Sequence, residues 1–442
     1  MRKSNSKRVN YRWIPFIFIL IYITITLSIS FWGPLQYYNY DIYKKMLVFI
    51  YVVFFLIFTW FGMITGFNSS KKVNCKIAEM KRRSFLKNIG KIAFIVLLNK
   101  GALFISCIKL YGIPDFTNLF SVLAKTYDQK NLGGFADRNI FRQIDTFTTF
   151  LYIISVCGIL YYWEKVNKRV RLIMIINILL TFLYTTLYIG DQKPFMDVMI
   201  YIISAVLITK IKKGKKVVSF KNIIIFIFLS VTAILFFSTV VINRRLLWGS
   251  AQSTSIGNFI TINLKHPLLG LFSEKLRYQI GFFLIYPTMG WYGLSLTLQL
   301  PFQWSYFLGS ARGLNDILSQ FMPNLPDMYN TTYLGRMELQ FGYDGLSNWH
   351  TIFPWLASDF TFVGTLIFMG IVAHIYARSW KEAIENDNPI SFIMVATLNI
   401  MYLYITANNQ LFVQRGSTVA TLVILGFWFL KGKYYNIMIE RN

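Results

Sequence analysis

Ten stretches of this chain are apolar enough, and nearly all long enough, to cross a bilayer as helices, and that pattern leaves little room for a water-soluble fold. A helix needs about 20 residues to span the hydrocarbon core. Such stretches lie near 13–33, 46–67, 92–111, 146–163, 172–190, 195–209, 222–242, 355–377, 390–407 and 416–430. Length alone would suggest two or three soluble domains. Yet 55% of the residues are hydrophobic and only 14% are charged, whereas soluble domains carry about a quarter charged residues. The expectation is an all-α polytopic membrane protein with about ten transmembrane helices, the whole chain 1–442 forming one integral membrane domain. No small-residue cleavage site follows the first stretch, which therefore reads as an anchor and not a signal peptide.

A net charge of +26 suggests a nucleic-acid binder until the charges are placed. Segments 1–12, 68–91, 164–171, 210–221, 378–388 and 431–442 hold 28 of the 45 Lys and Arg but only six of the 19 acids. Short basic loops stay on the cytoplasmic side because translocating them is costly. The runs Lys71-Lys72, Lys81-Arg82-Arg83 and Lys212-Lys213-Gly214-Lys215-Lys216 are thus topology signals. Both termini are expected in the cytoplasm and no nucleic-acid partner is expected. Three cysteines, Cys75, Cys107 and Cys157, give neither a disulfide framework nor metal-type Cys/His spacing.

Two segments on the other side are longer. In 112–145, Phe116, Leu119, Phe120 and Leu123 recur at helical spacing, as in a helix lying at the membrane interface; Arg138 and Arg142 follow. The segment 243–354 is a large extracytoplasmic loop. Within it Phe282–Leu298 is apolar, but Pro287, Gly290 and Gly293 read as breaks, so a re-entrant or membrane-lying segment lining a cavity is expected. Counting it as a span would put Arg378, Lys381, Lys431 and Lys433 outside, against the charge rule.

Basic residues kept on the outer face invite a chemical explanation: Lys193, Arg244, Arg245, Lys265, Lys275, Arg277, Arg312, Arg336 and Arg415. The planar fork of arginine suits phosphate, and a pocket of arginines at the outer leaflet would suit a lipid-linked pyrophosphate. Pairing with anionic lipid head groups is the plainer alternative for each, and for Arg336, in Gly335-Arg336-Met337-Glu338, so is a surface ion pair. Lys100 lies deep in the third stretch, where an ionisable group needs an interior partner or a functional role. His350 is a candidate general base. Asp359, at the head of the eighth stretch, could orient that base or activate a hydroxyl, or simply cap its helix.

The segment Ser347–Gly364 resembles the signature of the O-antigen and capsular polysaccharide polymerases, the Wzy-type repeat-unit polymerases. Thr351, Phe353, Asp359-Phe360 and Gly364 match a Thr–x–Phe, Asp-Phe-Gly, Gly pattern, with Thr361 in place of the usual glycine. The related O-antigen ligases share a His ahead of a spaced Gly, which His350 fits. Gly190-Asp191-Gln192-Lys193 is similar to the family's turn after the fifth span, with Lys for Arg, and Arg244 or Arg245 to its arginine at the outer end of the seventh.

The resemblance implies a GT-C-like membrane glycosyltransferase in the bacterial cytoplasmic membrane, polymerising undecaprenyl-pyrophosphate-linked repeat units at its outer face. It implies membrane lipids, a chain-length regulator and a flippase as partners. Arg244, Arg245, Arg277, Arg312 and Lys193 are then expected on the pyrophosphate, and His350, Asp359 and Arg336 in catalysis. No Asp-x-Asp pair occurs, which favours a mechanism without metal or other cofactor. A ligase and a lipid-linked oligosaccharide flippase or transporter are the rival readings; an acyltransferase would want a buried histidine within a span, and His374, near the cytoplasmic end of the eighth, reads as an ordinary packed or interfacial one.

Overall fold

A computed structural model describes residues 11–70, 75–114, 122, 126, 139–216, 239, 254–256, 258–322 and 324–440. Apart from residues 122 and 239, the interfacial helix expected around Phe116–Leu123 and the span 222–242 lie outside the described residues, as do Arg138, Arg244 and Arg245. The chain is mostly helical. Among the described residues seven helices are long and apolar enough to cross a membrane: Tyr11–Trp32, Ile42–Ser69, Arg82–Tyr111, Ile140–Tyr161, Lys168–Ile189, Lys193–Lys212 and Ile352–Glu385. They coincide with the first six expected spans and the eighth.

In chain order the longer elements are α1 (Ile14–Trp32), β1 (Leu35–Tyr37), α2 (Ile42–Ser69), α3 (Cys75–Tyr111), α4 (Ile140–Tyr161), α5 (Lys168–Tyr184) and α6 (Lys193–Lys212). After them come β2 (Ser255–Ile256), β3 (Ile260–Ile262), α7 (Glu274–Thr297), α8 (Arg312–Phe321), α9 (Tyr333–Phe341), α10 (Ile352–Glu385), α11 (Pro389–Leu403) and α12 (Arg415–Glu440). The three short strands pair antiparallel in the order β1-β3-β2, with Leu35 opposite Ile262. This small sheet is a departure from the all-α expectation, and it ties the α1–α2 connection to the late loop.

α2 runs beside α10, and the sequence Gly62-Met63-Ile64-Thr65-Gly66 makes the approach possible. A Cβ at Gly62 or Gly66 would collide with the carbonyl oxygens of Gly370 and His374. Small residues four apart let helix backbones meet where lipid offers no hydrophobic drive for association. His374 sits in this seam, its Nδ1 2.9 Å from Thr65 Oγ1 and its Nε2 3.3 Å from Ser69 Oγ. It is a packing histidine.

The expected break at 282–298 is corrected by the structure. α7 is one continuous helix with Pro287 inside it, and its residues from Thr288 to Thr297 are all buried. Gly290 is a contact point, not a breaker: a Cβ there would strike the Thr406 carbonyl oxygen. Trp291 Nε1 donates to Thr26 Oγ1 at 3.2 Å, and Tyr37 shares a 3.1 Å hydrogen bond with Thr288. Protein packed around the helix tolerates the proline that open solvent would punish.

The ninth expected span is cut short. α11 has 15 residues, about 22 Å of helix, and stops at Leu403. Asn408 then turns its side chain to the backbone N–H of Asn409 at 2.7 Å and accepts from Trp355 Nε1 at 2.9 Å, local bonds that compete with helix. Tyr22, midway along α1, hydrogen-bonds Thr406 at 3.0 Å. The irregular segment 404–414 therefore lies halfway along a spanning helix, where only protein can satisfy its backbone.

At the opposite end the basic segments converge. Asp387 receives Lys212, Lys165 at 3.5 Å and Arg82 at 3.6 Å. Lys213 meets Glu164 at 2.5 Å, and Tyr11 donates to Glu385. Buried Glu382 accepts from Arg378 at 2.9 Å, Ser391 at 2.6 Å and Lys431. All six segments that charge counting grouped together have residues at this one end. Removing one member of a buried pair leaves the other uncompensated, at about 3–5 kcal/mol. Glu382→Ala is expected to lower stability by that amount in a detergent unfolding titration, with Arg378 and Lys431 both stranded.

Candidate functional site

The end of the molecule away from the lysine-rich segments is organised by the start of α10. Its first nine residues, Ile352 to Phe360, and the remainder from Phe362 are two helical pieces joined at Thr361, whose φ of 63° and ψ of 166° are not helical. That region of backbone space is essentially glycine's, at about 1–3 kcal/mol for another residue. Thr361 is thus a β-branched residue held in backbone geometry that glycine adopts without strain. Its hydroxyl accepts from Gly364 N at 3.1 Å, capping the second piece.

Asp359 precedes this kink and is buried. Its Oδ1 accepts from Ser305 Oγ at 2.5 Å and Phe307 N at 2.9 Å, and its Oδ2 from Ser310 N at 2.7 Å. Neighbouring Ser358 takes Ser305 N at 3.2 Å through its carbonyl and Tyr333 N at 3.0 Å through its hydroxyl. The carboxylate thus fixes the loop 301–311 and indirectly α9. Within that loop Tyr306 and Phe307 hold positive φ values of 55° and 62°, which bulky residues seldom adopt. Charge-assisted bonds to a buried carboxylate are strong enough to hold such a turn. The role expected for Asp359 in activating a hydroxyl is not what this geometry offers, because both oxygens are engaged by the loop.

Arg336 lies on α9 facing the same loop. Its Nη1 donates to Pro301 O at 2.5 Å and its Nε to Thr331 O at 3.2 Å, while its guanidinium covers the Tyr333 ring at 4.7 Å. Nη2 makes no hydrogen bond of good geometry among the described residues, with the Tyr333 side chain lying alongside the guanidinium. No carboxylate among the described residues lies within 4 Å of it, so it is not the surface ion pair weighed above. Glu338, the nearest acid in sequence, instead accepts from Tyr329 OH at 2.9 Å. Burial pushes the Arg336 pKa down and the Tyr329 pKa up, the latter helped by Glu338 and opposed by the Arg312 charge. Arg312 opens α8 directly after the loop that Asp359 holds, and its charge is felt at Tyr329. Arg336, Arg312, Glu338 and Tyr329 therefore form one group around the 301–312 segment, with Arg336 and Arg312 at its two ends.

The other expected residues stand elsewhere. His350 is only 1% exposed, behind α7, with Trp355 5.5 Å away edge to face. Its Nε2 is 2.8 Å from Gly345 O and its Nδ1 3.2 Å from Thr351 O. Burial drives its pKa down to about 4, against the two carbonyls and Asp344, which favour the proton. Enclosed in this way, a neutral ring has one N–H to give to one of the two carbonyls, and its burial away from the surface argues against the general-base expectation. Arg277 clips the turn before α7, donating to Phe272 O at 2.8 Å and Gly270 O at 3.2 Å. Lys193 pairs with Asp197 at 2.5 Å, and Lys100 with Asp145 at 2.8 Å, the interior partner its depth required. Arg415 and Arg142 line a small cleft with Gln143 and Gln320. Cys107 and Cys157 are free and buried.

Two outcomes test this description. Thr361→Gly is expected to raise stability by about 1 kcal/mol, since it relieves the strained backbone and loses only a few tenths from the cap; a melting series of purified protein checks it. A histidine held near 4 when folded and near 6.5 when unfolded contributes stability that is complete above pH 6.5 and lost as pH falls towards 4. His350→Gln should therefore flatten the difference in stability between pH 6.5 and pH 4 by roughly 3 kcal/mol, measured by unfolding at each pH against the parent chain.

Comparison with known proteins gives no match to a protein-family model, to a curated protein or to a solved structure, so what this face binds has to be decided by the chemistry of its own side chains.

Proposed function

We propose that this chain is a membrane glycosyltransferase that polymerises oligosaccharide repeat units carried on undecaprenyl pyrophosphate. In this reading the end gathered around Asp387 and Glu382 faces the cytoplasm with both termini, since lysine-rich segments resist translocation. The Arg336 face then lies at the outer leaflet, where lipid-linked repeat units are presented.

What carries the reading is Arg336: a half-buried guanidinium with no carboxylate partner among the described residues, and with Arg312 at the other end of the segment it grips. A diphosphate is the ligand whose geometry answers such a fork. Nη2 itself is covered, so an anion reaches the fork by displacing the contact with Pro301. In the transfer, the acceptor hydroxyl oxygen bonds to the anomeric carbon as the bond from that carbon to the phosphate oxygen breaks. Charge accumulates on the leaving pyrophosphate, where Arg336 and Arg312 stabilise it. The hydroxyl proton passes to a carboxylate. With Asp359 engaged by the loop, Glu338 is the carboxylate at hand, and Tyr329, kept protonated, orients it.

Arg336→Lys loses the fork while keeping the charge and is expected to cut polymer about 10- to 100-fold. Glu338→Gln should cut it about 100-fold or more. Both are read from polymer length and yield in cells at matched protein levels. Single repeat units should accumulate on the outer face of the membrane. Full-length polymer from both variants, or accumulation on the inner face, would remove the assignment.

A further inference from the structure

The loop that Asp359 and Arg336 hold in place carries an aromatic tip with no role so far. Phe302, Trp304, Tyr306 and Phe307 are 45%, 44%, 63% and 54% exposed. The Trp304 and Tyr306 rings lie 4.7 Å apart and inclined by 38°, and Phe307 stands against Trp304 at 90° with its centroid 5.5 Å away. On its other side Phe307 is 5.7 Å from Phe360, which follows Asp359. Trp304 is thus three residues from the carbonyl that Arg336 grips.

We infer that the Trp304–Tyr306 tip is a stacking platform for a sugar ring of the glycan, next to the arginine that meets the diphosphate. The inference rests on the function proposed above and adds a carbohydrate subsite to it. A pyranose presents a face of C–H bonds, slightly positive, to the electron-rich face of an aromatic ring. Such stacking depends on the ring plane being fixed beforehand, because binding that has to order its own contacts is weaker. Here the plane is fixed at considerable structural expense: two successive bulky residues at positive φ, three hydrogen bonds to one buried carboxylate, and a guanidinium at the loop's entrance. Aromatic side chains that merely sit among lipid head groups need none of this, since a fluid interface accepts many orientations.

The test uses the full chain in detergent and in vesicles, with the fluorescence of Trp304 taken as the difference between the parent and Trp304→Phe. The probe is the oligosaccharide released by mild acid from the host cell's own lipid-linked pool. A saturable change in that difference signal on adding the probe is expected, absent when the same difference is taken in the Tyr306→Ala background. In turnover assays Trp304→Ala should raise KM for the lipid-linked repeat unit at least tenfold with kcat within threefold, and Trp304→Phe should stay near the parent in both. No saturable signal, or an unchanged KM in Trp304→Ala, overturns the platform. So does quenching of the difference signal by brominated acyl chains in phosphatidylethanolamine–phosphatidylglycerol vesicles, which would place the tip in lipid. Binding of the probe without any turnover by the parent chain keeps the platform and rejects the polymerase.

Discussion

The carboxylate of Asp359 takes three donors from one loop, and the arrangement of the outer end follows from that. Buried in a protein interior, such a group is costly unless every lone pair it presents is met. Meeting it here recruits Ser305, Phe307 and Ser310 and bends the chain through two positive-φ residues. The bend delivers Arg312 to the start of its helix and leaves Pro301 for Arg336. A residue whose obvious chemistry is acid–base work thus holds the loop by geometry.

A second constraint acts on the same region. Three irregular segments, 298–311, 342–351 and 404–414, meet alongside spanning helices, and lipid offers their backbones nothing. They satisfy one another and the helix starts beside them: His350 N donates to Ala407 O, Gly313 N in the first turn of α8 to Phe412 O, and Asn409 Nδ2 to Ser310 O. α7 closes the assembly from one side through Gly290, and His350 fills the space behind it. Such mutual dependence explains why a histidine with an attractive position in the sequence ends up enclosed. Its neutral ring has one N–H, enough for one of the two carbonyls it faces, Gly345 O at 2.8 Å or Thr351 O at 3.2 Å.

Much of the scaffold was legible because bilayer thickness and charge act on composition and need no tertiary detail. The stretch 13–33 became Tyr11–Trp32, and 172–190 became Lys168–Ile189. The basic segments that counting placed together do gather at one end. Other features needed neighbours to be read. Gly62 and Gly66 carried a visible small-residue spacing that hydropathy alone passes over. Gly290 looked like a breaker because its partner, the Thr406 carbonyl, is more than a hundred residues away. The shortening of α11 at Leu403 reflects bonds to Asn408 that its own stretch does not advertise.

The candidate site was legible in part. Arg312 and Arg336 were singled out as outward-facing cations, and the fold brings them to one segment. Nothing in their spacing separated them from Arg277, which grips its own turn, or from Lys193, which finds Asp197 one helical turn on. Thr361 shows the division most sharply: its side chain gives no sign of the kink, and only the folded backbone shows it at a φ of 63°. Sequence by itself determined that this chain is built of apolar helices with its excess positive charge at one end, since those follow from solvation of each segment taken alone. Only the tertiary structure decided which cations have a carboxylate partner and which carboxylates are occupied, because hydrogen bonding of a buried group depends on what distant parts of the chain bring to it.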